Sequence, residues 1–342
     1  RGLGDVYKRQ VSLNWQSLGP DNVGGRTRSI LFDKRDATFN TVYAASVAGG
    51  IWKSTNLGST WVKVNQANSN LNVSCMAQTD NNDIYAGTGE YGFSQGTGLY
   101  VSTDGDNFSL VPGTMPTMVD NVLEWAYINE LAIQNGRIYA ATNAGLKYRN
   151  SDESQWRTAN YIDGEGQLQP LNGFVWDVKV GSNGIVVASI ESKVYVSELG
   201  QPNGFINQST KQVLPDTVLN PEKLPSIGLG RIELAVAPSN PDYIYACASD
   251  PYGYFDNIYR SIDKGITWEI IFPGHSSLLP DIFVVNNVAY GLVANTIVVY
   301  PNNPEEILVG GINMWHGKFI NEGYYYCLLY TSDAADDLLC VD

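Results

Sequence analysis

The chain has 342 residues, with 35 acidic against 21 basic side chains, a formal net charge of −14 and only 16% charged residues. An acidic chain with no basic cluster repels phosphate backbones, so nucleic acid is not an expected partner. Its 34 glycines and 21 tyrosines, with many Asn, Ser and Thr, suit a turn-rich all-β protein, and no stretch approaches the ~20 apolar residues of a membrane-spanning helix.

Taken in order, the chain opens on residues 1–10, Arg1 through Gln10, which resemble an in-frame translation of a sequencing adapter. Residues 327–342, from Cys327-Leu328-Leu329-Tyr330-Thr331-Ser332, resemble the adapter of the opposite end. Both are expected to be adapter-derived, leaving 11–326 as the native part of a longer protein. Cys327 and Cys340 go with the tail. Cys75 and Cys247 remain, each inside an apolar strand pattern, and read as two lone buried thiols. No cofactor or metal site is expected, since His275 and His316 lie far apart without ligand-type spacing.

The segment Ile51-Trp52-Lys53-Ser54-Thr55-Asn56-Leu57-Gly58-Ser59-Thr60-Trp61 reads as strand, tight turn and strand. Copies recur at Tyr100–Phe108, at Tyr148–Trp156 without its glycine, at Val194–Glu198 in eroded form, and most fully at Tyr259–Trp268. The closing aromatics at 61, 108, 156, 205 and 268 are spaced by 47, 48, 49 and 63 residues, the size of a four-stranded propeller blade. Two short β-rich runs precede each turn, such as Cys75–Gln78 with Ile84–Gly87 and Ile232–Ala237 with Tyr243–Ala248, separated by Asn/Asp/Pro turns. The expected fold is an all-β propeller of at least six four-stranded blades near 14–66, 72–111, 127–158, 173–207, 230–272 and 291–326, the last truncated.

A short Asp or Asn side chain accepts bonds from backbone N–H groups just ahead of it, and Gly takes φ > 0 at the tight point. The closing ring is then expected to bury itself between neighbouring blades. Ser54, Asn56, Gly58, Trp61, Ser102, Asp104, Phe108, Asp152, Trp156, Ser261, Asp263, Gly265 and Trp268 are therefore scaffold. Their turns join strands three and four, on the face opposite the loops joining strands two and three.

The pattern Ser-x-Asp-x-Gly-x-Thr-Trp resembles the Asp-box, or BNR, repeat of sialidases, sortilin-type propellers and xyloglucan hydrolases. Leu18-Gly19-Pro20-Asp21-Asn22-Val23-Gly24-Gly25-Arg26, Ala48-Gly49-Gly50-Ile51-Trp52 and Val309-Gly310-Gly311-Ile312-Asn313-Met314-Trp315 resemble secreted Bacteroidetes proteins of the sortilin-like group. The resemblance implies a propeller and a secreted or cell-surface location. It also implies a catalytic Asp before the Gly-Gly of blade one in the xyloglucan hydrolases, where this chain has Val47. Sialidases need an arginine triad, and this chain has Gly25-Arg26-Thr27-Arg28 in place of their first motif.

Function is accordingly expected on the face opposite the box turns. Two of its loops are long and aromatic, Thr88–Gly96 and Ser249–Asn257, and long loops on a rigid scaffold carry binding groups. Tyr91, Phe93, Tyr252, Tyr254, Trp315 and Arg26 are the candidate ligand-binding residues, Arg231 and Arg26 being able to point into the channel. The expected partner is an extracellular protein, peptide or polysaccharide. The alternatives are a purely structural propeller of a larger surface protein, or a glycosidase. A glycosidase needs two carboxylates about 5–9.5 Å apart. Glu90, Asp250 and Asp256 are the candidates, with Asp120, Glu124, Asp163 and Glu165 behind them.

Overall fold

The computed structural model describes residues 26–64, 71–210, 223–274, 281–320 and 323–330. All regular elements among them are β-strands. Six blade sheets follow one another along the chain, each adding its strands from first to fourth in antiparallel order, and a hairpin of Asn160–Ile162 and Leu168–Pro170 extends the fourth of them, Asn160–Ile162 running parallel to Phe205–Asn207. Blade one uses Thr27–Phe32, Val42–Ser46, Gly50–Ser54 and Val62–Lys63, and blade two Val73–Gln78, Ile84–Thr88, Leu99–Ser102 and Ser109–Leu110. Blade three uses Ile128–Gln134, Arg137–Thr142, Gly145–Asn150 and Arg157–Thr158, and blade four Val175–Val180, Val186–Ile190, Lys193–Ser197 and Phe205–Asn207. Blade five uses Ile232–Val236, Ile244–Ser249, Phe255–Ser261 and Glu269–Pro273. The sixth sheet also has four strands, Thr296–Val299, Glu306–Gly310, Met314–Ile320 and Gly323–Tyr330. The arrangement is a six-bladed β-propeller.

The second strands show why simple period-two alternation is weak here. Ile84–Thr88 and Val186–Ile190 are buried at every position, because each blade is sandwiched between two others. Five apolar clusters fill the joints between consecutive blades. Tyr43, Ile51, Val73 and Ile84 join blades one and two, and Cys75, Leu99, Ile128 and Ile138 join two and three. Blades three and four share Tyr139, Leu146, Val175 and Val186, four and five share Val187, Val194, Ile232 and Ile244, and five and six share Tyr245, Phe283, Ile297 and Ile307. Cys75 and Cys247 are free thiols inside these joints, and burial pushes both pKa values up.

The Ser-x-Asp turns are closed by their own side chains. Ser261 Oγ donates to Asp263 Oδ1 at 2.8 Å and accepts from Gly265 N–H at 2.8 Å, while Asp263 Oδ1 accepts from Thr267 N–H at 2.8 Å. Ser54, Asn56, Gly58 and Thr60 repeat this network, and Ser102, Asp104 and Gly105 do so one residue shorter. Burial opposes ionisation of Asp263, but the Thr267 and Ser261 bonds prevail and lower its pKa. In the copy at 148–156 the turn rests on backbone bonds, Ser151 N–H to Gly136 C=O at 2.7 Å and Glu153 N–H to Asn150 C=O at 3.1 Å.

The closing rings obey a directional rule that the sequence reading lacked. Phe108 of blade two packs into the one–two joint, Trp156 of blade three against the two–three joint, Phe205 of blade four into three–four, and Trp268 of blade five into four–five. Each ring therefore seats on the blade before it. Trp61 departs from the expected burial: it is 39% exposed, against 3% for Trp268. Among the described residues, no sheet packs against the face of blade one where that ring would seat.

Candidate functional site

The inner strands of blades one to four each carry a bulge, between Thr27 and Ser29, Val73 and Cys75, Ile128 and Glu130, and Val175 and Asp177. A bulge adds a residue that has no cross-strand partner and re-aims side chains locally. The residues passed over, Arg28, Ser74, Asn129 and Trp176, all line the central channel, a cavity of about 690 Å³. Blade five has no bulge in this strand, and Arg231 and Glu233 line the channel by ordinary alternation with the core residues Ile232 and Leu234.

The channel charges are paired. Arg231 Nε donates to Glu233 Oε1 at 2.7 Å, and Lys179 Nζ lies 2.8 Å from both Glu130 Oε2 and Asp177 Oδ1. Asp177 Oδ2 also accepts from Leu234 N–H at 2.8 Å, tying blade four to blade five. Burial raises the Glu233 pKa to about 7 against the pull of Arg231. Burial also works against the Lys179 ammonium, but Asp177 and Glu130 outweigh it and raise its pKa. For Arg28, burial and then the nearby Arg231 guanidinium lower the pKa, Glu233 and Glu90 opposing them.

At the mouth, on the face of the loops joining strands two and three, Glu90 is buried and held by Arg26, with Arg28 Nε 3.6 Å from its other oxygen. The Thr88–Gly98 loop that carries it is rigidly fastened. Thr88 Oγ1 donates to Gly98 C=O at 2.5 Å, Gly96 N–H donates to Ala126 C=O at 2.8 Å, and Asn72 Nδ2 donates to Gln95 C=O at 2.8 Å. Gly89 sits at φ +92°, where a Cβ would lie 2.2 Å from the Ala126 carbonyl oxygen. The loop presents Tyr91, half-exposed, to an aromatic group from the next two blades. Tyr91 lies 4.9 Å from Phe174, 5.9 Å from Trp176 and 6.0 Å from Tyr127, in edge-to-face contacts. Arg26 stacks 4.4 Å over the exposed Phe93 ring.

The structure thus brings Arg26, Glu90, Tyr91 and Phe93 together at the mouth. The blade-five loop is separate in its bonding. Asp250 Oδ1 caps its own loop, accepting from Tyr252 N–H at 2.8 Å and Tyr254 N–H at 2.9 Å, and leaves the Tyr252 ring 80% exposed. Asp256 Oδ2 accepts from Tyr259 Oη at 2.9 Å and Asn257 Nδ2 at 2.8 Å. Trp315 packs against the blade five–six core. Among the second-rank carboxylates, Glu124 pairs with Lys147 at 2.9 Å, Asp163 caps its own turn through Gln167 N–H at 2.8 Å, Asp120 occupies a positive-φ turn, and the Glu165 N–H donates to Asp163. Val47 N–H reaches Arg26 C=O at 3.5 Å. His316 bonds Glu306 at 2.7 Å, and His275 lies outside the described residues, as do Leu18 to Gly25. Among the described residues no three His, Cys, Asp or Glu converge on a metal-sized site.

Phe174, Trp176, Tyr127, Arg28 and Asn129 are absent from the sequence-based candidates. One signal was present: core residues of the inner strands are spaced by three where a bulge intervenes, as in Val73/Met76, Ile128/Leu131 and Val175/Val178, and by two in Ile232/Leu234.

No family model matches the chain. A search of curated proteins finds no match. Among solved structures it is similar to an ancestral GH74 enzyme, with 23% identity and TM-score 0.64 over 95% of this chain and 41% of that one. The extracellular domain of the B. thetaiotaomicron protein BT4673 is similar over 92% of this chain and 34% of that one, at 12% identity and TM-score 0.60. YCF48 bound to D1 peptide is similar over 94% and 83%, at 12% identity and TM-score 0.51. The chain spans less than half the length of the ancestral GH74 enzyme and of the Niastella koreensis GH74 enzyme that it matches. At these identities the likeness establishes the fold, a β-propeller of four-stranded blades.

Proposed function

We propose that this chain is the ligand-binding propeller of a secreted or cell-surface protein, holding an extracellular polysaccharide, peptide or protein on the face opposite its Asp-box turns. One observation carries the reading: the aromatic group of Tyr91, Phe174, Trp176 and Tyr127 at the channel mouth, with Arg26 stacked on Phe93 beside it. Partly exposed rings next to planar charged groups suit sugar faces and peptide side chains alike. The loop that carries Tyr91 is pre-ordered by its internal bonds, which lowers the entropy cost of binding. The carboxylates speak for binding over hydrolysis. Glu90 is clasped by two guanidiniums, and Asp250 and Asp256 hold their own loops.

Glycan and peptide arrays probed in parallel with the purified chain test this. Binding to one class, weakened at least tenfold by Tyr91→Ala and by Trp176→Ala with the far-UV spectrum unchanged, is expected. Silence on both arrays would favour a purely structural propeller. Release of reducing sugar from a bound glycan, abolished by Glu90→Gln, would establish the glycosidase instead.

A further inference from the structure

We infer that the face carrying the mouth has two matched stations, on blades two and five, and that they dock a basic polypeptide segment bearing apolar side chains. The inference rests on the ligand-binding reading and narrows its ligand to one class.

The stations are built alike. Tyr91-Gly92-Phe93 of blade two recurs three blades later as Tyr252-Gly253-Tyr254. Glu90 N–H donates to Ser94 C=O and Asp250 N–H to Tyr254 C=O, both at 2.8 Å, so each loop closes on itself. The central glycine is left-handed in both, at φ +81° and +90°. Beside each loop the link to the next blade forms a hairpin, Thr117–Val119 with Val122–Glu124, and Val284–Val285 with Val288–Ala289. Their turns, Asp120-Asn121 and Asn286-Asn287, have positive φ at both residues, as a type I′ turn requires. Each link is bonded to its loop, Gly96 N–H donating to Ala126 C=O and Gly291 N–H to Gly253 C=O, both at 2.8 Å.

These hairpins stand free. The hairpin of the link between blades three and four joins the blade-four sheet, whereas among the described residues these two pair with no other strand. A lone two-stranded hairpin is marginal in water, and exposed apolar side chains mark it for a partner. Register places Val119 and Val122 on one face of the first hairpin and Met118 on the other, and all three are exposed, Met118 at 61%. On the second hairpin Val288 is exposed, and the exposed Tyr252 and Tyr254 flank the glycine bonded to that link.

Charge selects the occupant. Five projecting segments of this face, residues 88–98, 112–129, 159–174, 249–257 and 281–295, hold eight Asp or Glu and not one Lys or Arg. Arg26 and Lys147 come from the strands beneath and are taken by Glu90 and Glu124. A second copy of the chain would set acid against acid, an anionic bilayer would be repelled, and a neutral glycan would leave the carboxylates unmatched. A segment with Lys or Arg answers the carboxylates and lays its cations on the tyrosine rings, while its apolar side chains cover Met118, Val119 and Val288.

The test selects a displayed library of random peptides, about 12 residues long, against the purified chain, and titrates the recovered peptides by fluorescence anisotropy. Peptides that interleave Lys or Arg with apolar residues are expected. Their Kd should rise at least tenfold between about 50 and about 500 mM NaCl. It should also rise at least tenfold with Tyr252→Ala plus Tyr254→Ala, and with Met118→Ser plus Val119→Ser. Both pairs leave the charge unchanged, so general attraction to an acidic protein would not respond to them, and an unchanged far-UV spectrum checks the fold. Recovered peptides without excess positive charge, Kd values indifferent to either pair, or an empty selection would overturn the inference. So would binding to phosphatidylcholine vesicles, or a dimer in sedimentation, that is lost with Met118→Ser plus Val119→Ser, because a bilayer or a second copy would then be the occupant. A glycan-array response lost with Tyr91→Ala, beside an empty peptide selection, would sink this inference and leave the ligand-binding reading standing. Silence of both assays would remove both.

Discussion

Trp268→Ala measures how much stability resides in the joints between blades. The ring is 3% exposed within the blade four–five core, and its Nε1–H donates to the Gly265 carbonyl at 3.0 Å. Burying a tryptophan removes about 200 Å² from water, worth roughly 5 kcal/mol at ~25 cal/mol per Å². The alanine methyl keeps part of that and the unfolded chain already shields some, while the cavity left behind adds a cost, so a loss of about 4 kcal/mol is expected. Urea unfolding followed by far-UV circular dichroism reads it as a lower midpoint at unchanged slope. Trp61→Ala is the internal control: its ring is 39% exposed, and a smaller loss of about 2.5 kcal/mol is expected. Equal losses at the two positions, or less than about 1.5 kcal/mol at Trp268, would refute the packing rule drawn from the closing rings.

Asp33 gives a pH signature. Burial opposes its ionisation, but bonds from Arg35 and Gln78 prevail and hold its pKa at about 2. Its folded pKa is thus depressed below the unfolded value, so its contribution of about 2.5 kcal/mol is complete above pH ~4 and lost as pH falls towards 2. The stability gap between wild type and Asp33→Asn, measured by urea titration, should shrink across that window, and a constant gap would contradict it. Glu233→Gln strands the buried Arg231 guanidinium and should cost about 3 kcal/mol, most of it recovered by Arg231→Met with Glu233→Leu in a thermodynamic cycle. Gly89→Ala meets the Ala126 carbonyl at positive φ and should cost at least ~2 kcal/mol, with weakened binding on whichever array responds to the wild type.

Much of the architecture was legible in the chain because the repeat is local. A Ser, an Asp or Asn and a Gly within five residues close a turn through bonds among themselves, so Ser54–Trp61 and Ser261–Trp268 announce the same unit wherever they stand. The Val194–Phe205 copy lost that signature and still forms full third and fourth strands. There the fold is set by burial of Val194, Val196 and Phe205 between neighbours. The mouth loop was legible as long and aromatic, and Tyr91, Phe93, Glu90 and Arg26 do meet there. Trp176 was hidden because a bulge displaces it from the alternation that would mark it.

What the sequence determined by itself was the unit: its strands, its turn, its length and the face on which its loops emerge. These follow from backbone bonding over a few residues. Only the tertiary structure decided how units meet. It turned Arg28, Asn129 and Trp176 into the channel and coupled Arg26 to Glu90 across 64 residues of chain. It made Asp250 a loop cap rather than a free carboxylate, and left Trp61 39% exposed where Trp268 is buried. Those outcomes depend on which surfaces remain unburied once the blades are stacked, and no local pattern encodes that.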